Sequence, residues 1–124
     1  MIQNASKKDI VLISTTAGFL FSSFFTLIFF WQQVYLLTVI LFFFALIELF
    51  VVRSKKLILI FVISGIGGTV IEIISIYFGI WAYSVKSLWN IPFWLFPLWG
   101  NAGIIIVAIY KLLSKIGWFE RIDK

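Results

Sequence analysis

Residues 57–81 read LILIFVISGIGGTVIEIISIYFGIW, an apolar run interrupted by a single charged residue, Glu72. A helix rises about 1.5 Å per residue, so this run is long enough to cross a hydrocarbon core of about 30 Å. In lipid only helices or closed barrels satisfy the backbone, and continuous apolar runs lack the alternation of barrel strands. The stretch therefore predicts a transmembrane helix that carries one carboxylate.

Three further apolar runs flank this stretch, at residues 10–30, 34–52 and 91–113. The chain is 63% hydrophobic, well above the roughly 45–50% of soluble domains. The first run is longer than a signal-peptide core and is not followed by a small-residue cleavage site, so we expect it to be retained as a span. Only residues 31–33 separate the first two runs, which must pack antiparallel. The predicted fold is all-α, an integral membrane bundle of four transmembrane helices in a single domain, residues 1–124.

The positive charges predict how the bundle is oriented. Apart from Lys86, every Lys and Arg lies in the N-terminus, in the loop 53–56 or in the segment from Lys111 onward. Because positive loops stay on the cytoplasmic side, both termini are predicted to be cytoplasmic, in a multi-pass protein of the cell membrane. Tryptophans and tyrosines cluster near the other ends of the spans, as expected at an outer interface. The tail around Trp118 is predicted to be a short amphipathic piece.

Missing residue types narrow the chemistry. The chain has no cysteine and no histidine, which excludes disulfides, thiolate metal sites and the commonest general base. No metal or cofactor is predicted. The net charge of +5 is explained by membrane topology, and no phosphate-binding motif is present, so a nucleic-acid partner is not expected.

Glu72 shares one face of the third span with a series of small residues. Gly65, Gly68, Glu72, Ser75 and Gly79 recur at spacings of three and four, which places them on a single stripe of a helix. Two interpretations remain open. The stripe is a packing seam in which Glu72 bonds to a neighbouring helix, or Glu72 is a working residue, because a carboxylate is costly to place in a membrane.

The predicted span ends place three polar residues at a similar depth. Glu72, Asn101 and Ser22 each lie nine or ten residues, about 13–15 Å, inside the predicted outer end of their span. We therefore predict one polar layer, with Glu72 as a candidate catalytic acid and with Asn101 and Ser22 beside it. The remaining predicted ligand-binding residues are Ser75, Trp81, Tyr83, Trp94 and Trp99.

Glu48 and the two prolines affect this geometry. Glu48 lies five residues before Arg53, and we expect it to reach or pair with the basic loop. Pro92 is compatible with the first turn of the fourth span. Pro97, five residues later, either kinks that span or marks a helix that starts near it.

Glu72 is followed after six residues by Gly79-Ile80-Trp81-Ala82-Tyr83, and further on by Ile91-Pro92. This pattern resembles the acidic, Gly-x-Trp-x-aromatic and Ile/Leu-Pro signature of the lycopene cyclase domain of carotenoid biosynthesis. The resemblance implies a related helical scaffold and an isoprenoid ligand. The acidic pair that follows the proline in that family is replaced here by Phe93-Trp94-Leu95, so the scaffold is supported better than the cyclase reaction.

Three kinds of function fit these features. The first is binding or modification of an apolar, isoprenoid- or carotenoid-like lipid at a site centred on Glu72. The second is a small proton- or cation-coupled transporter or channel subunit, and the third is an accessory scaffold. The expected partners are the lipid bilayer, such a lipid, and further copies or other subunits in a homo- or hetero-oligomer; whether the chain is an enzyme stays open.

Overall fold

The computed structural model describes residues 6–115 and 117, which form four α-helices and no β-strand. The helices are α1 (Lys7–Phe30), α2 (Val34–Val52), α3 (Lys55–Tyr77) and α4 (Leu95–Lys115). Each is long and apolar enough to cross a membrane. The predicted all-α multi-pass fold is confirmed, while the predicted tail around Trp118 lies outside the described residues.

Local hydrogen bonds fix the start of α1 and the end of α2. The Ser6 hydroxyl accepts the backbone N–H of Asp9, and the Asp9 carboxylate accepts that of Ser6, both at 3.2 Å. This reciprocal cap starts α1 three residues earlier than predicted. At the end of α2, Arg53 adopts a left-handed conformation with φ 54° and donates its N–H to the carbonyl of Leu49. The loop between α2 and α3 is thereby reduced to two residues.

A glycine turn ends α3 at Tyr77, four residues before the predicted end. Gly79 has φ 73°, and its N–H donates to the carbonyl of Ile76 at 3.0 Å. The N–H of Ile80 donates to the carbonyl of Ser75 at 3.0 Å. This pair of bonds is a Schellman motif, which satisfies the last carbonyls of the helix and reverses the chain. The residues after it therefore fold back instead of extending the span as predicted.

The connection between α3 and α4 spans residues 78–94 and is longer than the predicted loop 82–90. It contains a tight turn in which Leu88 and Ile91 pair. Trp89 and Asn90 between them have φ values of 51° and 65°, as in a type I′ turn. This folded segment covers one end of the bundle.

α4 begins at Leu95, four residues after the predicted start. Pro97 lies in its first turn, where a backbone N–H has no acceptor within the helix, so the proline removes no helical hydrogen bond. Of the two predictions for Pro97, a helix that starts near it is confirmed. Pro92 was predicted to lie in the first turn of the fourth span. In the structure it precedes the helix.

α4 packs against all three other helices, most extensively against α3. The predicted small-residue face of α3 is buried at Gly65, Gly68, Glu72 and Ser75. Gly79, which was predicted to belong to it, is exposed beyond the helix end. Glycines of each helix leave room for side chains of the other: Phe96 lies against Gly65, Trp99 against Gly68, Phe61 against Gly100, and Ser64 against Gly103.

The bundle has two chemically different ends. Residues 6–8, the loop 53–54 and Lys115 lie at one end, where Lys115 Nζ is 3.8 Å from Asp9 Oδ2; this is the basic end. The turn 31–33 and the segment 78–94 form the other, aromatic end. At this end the Tyr35 ring of α2 contacts the Phe93 ring of the segment, and within the segment the Tyr83 ring contacts that of Trp94.

Candidate functional site

Glu72 anchors the segment that covers the aromatic end. Its side chain is 8% exposed. The indole Nε1 of Trp81 donates a hydrogen bond to Glu72 Oε2 at 2.7 Å, and the hydroxyl of Tyr83 is also hydrogen-bonded to Glu72. Both rings reach Glu72 because the turn at Gly79 reverses the chain. Trp81 therefore lies beside Glu72, and not about 13 Å above it as the predicted span implied.

The predicted layer of Glu72, Asn101 and Ser22 does not form. Across the α3–α4 interface Gly103 meets Ser64, so Asn101 lies level with this part of α3. Glu72 is eight residues beyond Ser64, about 12 Å along the helix. The Asn101 amide is buried and has no hydrogen-bond partner in the described part of the chain. Asn101 is thus not placed to orient Glu72.

α1 presents Ser23, and not Ser22, to the interior. Ser22 is exposed, whereas Ser23 is 4% exposed and its hydroxyl has no partner among the described residues. The Asp9–Lys115 pair sets the register of α1 against α4. Ser23 lies fourteen residues after Asp9 and Asn101 lies fourteen before Lys115, so the two unpaired groups are at one level. A polar layer does exist, but Glu72 is not in it.

An aromatic pocket of about 510 Å³ opens in front of Tyr83. Its lining residues are Leu27, Ile28, Trp31, Ala82, Tyr83, Ser84, Val85 and Trp94. The indole Nε1 of Trp94 donates to the carbonyl of Trp31 at 3.3 Å, and the Trp94 ring meets the Tyr83 ring edge-on with centroids 6.0 Å apart. Glu72 is not among the lining residues; it is bonded to Tyr83, which separates it from the pocket.

The electrostatics of Tyr83 define the polar character of the pocket. Burial, together with the charge of Glu72 and the hydrogen bond to it, raises the pKa of Tyr83 from 10.0 to about 12. The phenol is neutral near pH 7, and its hydroxyl donates a hydrogen bond to Glu72. Its oxygen keeps a lone pair that can accept a hydrogen bond from a molecule in the pocket. The site suits an apolar molecule that carries a hydroxyl group.

Two other predicted ligand-binding residues serve helix packing instead. The Ser75 hydroxyl is buried and donates to the carbonyl of Ile71 at 2.8 Å, within its own helix. Trp99 packs over Gly68 at the α3–α4 interface and does not line the aromatic pocket. Of the predicted residues, the structure thus brings together Glu72, Trp81, Tyr83 and Trp94.

The contribution of α1 to the pocket was not predicted. Leu27, Ile28 and Trp31 form one wall, opposite the segment 82–85. The signal available in the sequence was the short turn 31–33, which holds the end of α1 at the same end of the bundle as that segment. The sequence pattern did not predict how the segment 82–85 folds over the end of α1.

Glu48 is a second buried carboxylate, and its predicted role was wrong. Its side chain is 1% exposed and accepts a hydrogen bond from the Thr16 hydroxyl, so it does not reach the basic loop. Thr16 lies fourteen residues before Phe30, and Glu48 lies fourteen after Val34. Because the turn between those helix ends has three residues, the two polar groups meet at one level. The length of the turn could have predicted this contact.

The aromatic pocket therefore combines apolar walls with one fixed phenol, and a buried carboxylate holds that phenol in place. The residues that carry the resemblance to the lycopene cyclase domain include this phenol and carboxylate. A scan against protein-family models, a search of curated proteins and a search of solved structures found no match to the chain.

Proposed function

We propose that the chain is a small multi-pass membrane protein that binds an apolar, isoprenoid-like lipid in the aromatic pocket. A hydroxyl group of the lipid donates to the Tyr83 oxygen, and the apolar part lies between the end of α1 and the segment 82–85. One observation carries the proposal: Tyr83 lines the pocket while its hydroxyl donates a hydrogen bond to Glu72. The phenol oxygen is thus left as an acceptor in an apolar site.

The size and position of the pocket support a lipid ligand. Its volume of about 510 Å³ falls within the roughly 300–1,000 Å³ typical of small-molecule sites. Ile28 in its wall is 49% exposed on the outer surface of α1, so the pocket is reached from the side of the bundle that faces lipid. A ligand already dissolved in the bilayer can enter without crossing water.

The choice of an isoprenoid rests on the residues of the resemblance. Glu72, Trp81 and Tyr83 are separate positions of that pattern, and hydrogen bonds bring them together in one anchor. Gly79 of the pattern supplies the turn that makes this possible. Because the residues of this pattern contact one another in the structure, they support a related scaffold. The acidic pair that follows the proline in the lycopene cyclase domain is absent, so we do not extend the proposal to the cyclase reaction.

Binding is favoured over proton transfer at Glu72. Its carboxylate accepts hydrogen bonds from Trp81 and Tyr83 and so acts as an acceptor that positions them. A transporter centred on Glu72 would need this group to be free for a proton or cation. Glu72 is also buried, so a partner helix, which a scaffold function centred on Glu72 would require, has little access to it.

The charge distribution supports an orientation in the cell membrane with the basic end in the cytoplasm. The aromatic pocket then opens toward the outer interface, at the depth where tryptophan and tyrosine are enriched. A hydroxyl-bearing lipid places its polar group at this depth. The predicted orientation of the protein therefore places Tyr83 at the depth where the hydroxyl group of the lipid lies.

The proposal is tested with retinol, an isoprenoid alcohol that accepts excitation energy from tryptophan. Trp31 and Trp94 line the pocket, so retinol bound there quenches their fluorescence. For the full chain in lipid nanodiscs we expect saturable quenching by retinol. Tyr83→Phe should weaken retinol binding about two- to thirteenfold, the effect of one hydrogen bond of about 0.5–1.5 kcal/mol. Tyr77→Phe is the matched control, because Tyr77 is 83% exposed.

A hydrocarbon competitor separates specific binding from partition into the nanodisc. Squalene lacks a hydroxyl group, so we expect it to displace retinol poorly from the parent chain. Its apparent affinity should be the same for Tyr83→Phe and for the parent. Equal retinol affinity of the parent and Tyr83→Phe would show that the phenol does not bind the ligand, and the proposal would be wrong.

A further inference from the structure

Glu48 is buried in the basic half of the bundle, away from the aromatic pocket. One turn away on the two helices, Leu12 and Ala45 belong to an apolar core cluster. The ion pair found within residues 6–115 and 117 is Lys115–Asp9, so Glu48 has no cationic partner there. A charged carboxylate in such surroundings costs several kcal/mol unless a positive group compensates for it.

A lateral groove leads to Thr16, whose hydroxyl donates to this carboxylate; Glu48 itself is not among the lining residues. The groove has a volume of about 190 Å³ and lies between α1 and α4, with walls that include Ile13, Ala17 and Ile109. Ala17 and Ile109 are exposed, so the groove opens on the outer surface of the bundle. Of the described residues that line it, Thr16 alone is polar, and the hydroxyl of Thr16 donates to Glu48. An otherwise apolar groove thus ends at a hydroxyl backed by a carboxylate.

We propose that this groove binds a small amphiphilic ammonium ion, with its alkyl group against the walls and its charged end at Thr16, behind which the Glu48 carboxylate lies. The ammonium supplies the positive charge that the surroundings of Glu48 lack. The oxygen of Thr16 accepts an N–H of the ligand while its own hydrogen stays on Glu48. Hydrogen bonds of this kind, in which the donor is charged, are roughly twice as strong as neutral ones.

Other occupants fit less well. Calcium takes about six to eight oxygen ligands and magnesium about six, whereas Thr16 and Glu48 offer very few. An anion would be repelled by the carboxylate, and a neutral molecule would gain nothing from it. The groove holds about six water volumes of ~30 Å³ each, so the alkyl group that it encloses is short.

The experiment compares hexylammonium with hexanol, which share a tail and differ in charge. Isothermal titration of the full chain in nanodiscs should show hexylammonium binding about tenfold tighter than hexanol, as expected for a hydrogen bond to a charged group. Glu48→Gln keeps an acceptor for Thr16 but removes the charge. It should abolish the preference and leave hexanol binding unchanged.

A second variant keeps the test decisive if Glu48→Gln does not fold. Ala17→Leu fills the groove from its exposed rim and should remove binding of both probes, while Ser14→Leu, at an exposed position of α1 outside the groove, should not. Equal affinity of the parent chain for the two probes would overturn the proposal. So would unchanged binding of hexylammonium to Glu48→Gln or to Ala17→Leu.

Discussion

At Tyr83 a single phenol links the anchor to the pocket, and its ionisation reports whether that link exists. Burial and the neighbouring Glu72 favour the neutral phenol in the folded chain, with a pKa of about 12. In the unfolded chain the pKa returns toward 10. The folded state therefore holds the proton more tightly, so the stability contributed by Tyr83 is fully present below about pH 10 and is lost as pH rises through about 12.

We predict that one tyrosine of the folded chain ionises near pH 12, and that this tyrosine is Tyr83. The measurement is a spectrophotometric titration of tyrosinate absorbance, in which the difference between the parent chain and Tyr83→Phe isolates one phenol. Glu72→Gln removes the neighbouring charge and should move that phenol toward lower pH. A difference titration centred near the ordinary value of 10 in the parent would contradict the Glu72–Tyr83 contact.

The individual side chains also show where reasoning from the sequence reached its limit. Glu72, Trp81, Tyr83 and Trp94 could be selected because charged and aromatic residues are rare or patterned within apolar runs. Asn101 was assigned to the wrong level because the outer ends of α3 and α4 were taken to be level. In the structure Trp99, near the start of α4, packs against Gly68, nine residues before the end of α3. Sequence spacing gives the relative positions within a helix well, but the absolute level depends on where each helix ends.

Among the elements, the end of α3 depends on one backbone conformation. Gly79 has φ 73°, and a Cβ there would meet no other atom within 4 Å, so only the backbone penalty opposes a side chain. We predict that Gly79→Ala lowers the free energy of unfolding by about 1 kcal/mol. It should also loosen the Trp81–Glu72 contact, because the reversal of the chain depends on this turn. The measurement is unfolding in mixed micelles, with tryptophan fluorescence as the probe.

Gly18→Ala is the matched control for Gly79→Ala. Gly18 lies inside α1, and a Cβ there also meets nothing within 4 Å. Alanine is favoured over glycine in a helix interior by about 1 kcal/mol, so this variant should be more stable than the parent. Equal effects of the two substitutions would contradict the assignment of Gly79 to a left-handed helix end.

The packing of α3 on α4 depends on glycine for a different reason. A Cβ on Gly68 would overlap the Trp99 ring, whereas a Cβ on the adjacent Gly67 would meet nothing within 4 Å. We predict that Gly68→Ala lowers the free energy of unfolding by about 1–3 kcal/mol, the usual range for overpacking. Gly67→Ala should be neutral or stabilising. A similar loss for both variants would indicate that the helices do not pack through this face.

For the molecule as a whole, composition and run length were enough to predict the membrane class and four helices. They sufficed because the bilayer imposes one length and one polarity on every span. The segment 78–94 could not be predicted in the same way, since its fold depends on left-handed residues at positions 79, 89 and 90 and on hydrogen bonds to other elements. The pocket is formed partly by this segment. The types of residue that line the pocket could therefore be predicted from the sequence, but the shape of the pocket could not.

Orientation in the membrane is the last property of the whole molecule that can be tested directly. The chain has no cysteine, so each single cysteine variant carries one thiol. Because positive loops are retained in the cytoplasm, we predict that an impermeant maleimide labels Gln32→Cys in intact bacterial cells. Ser54→Cys and Ser6→Cys lie at the basic end and should react only after the cells are permeabilised. The reverse pattern would place the aromatic pocket at the cytoplasmic face, and the lipid would then have to reach it from the inner leaflet.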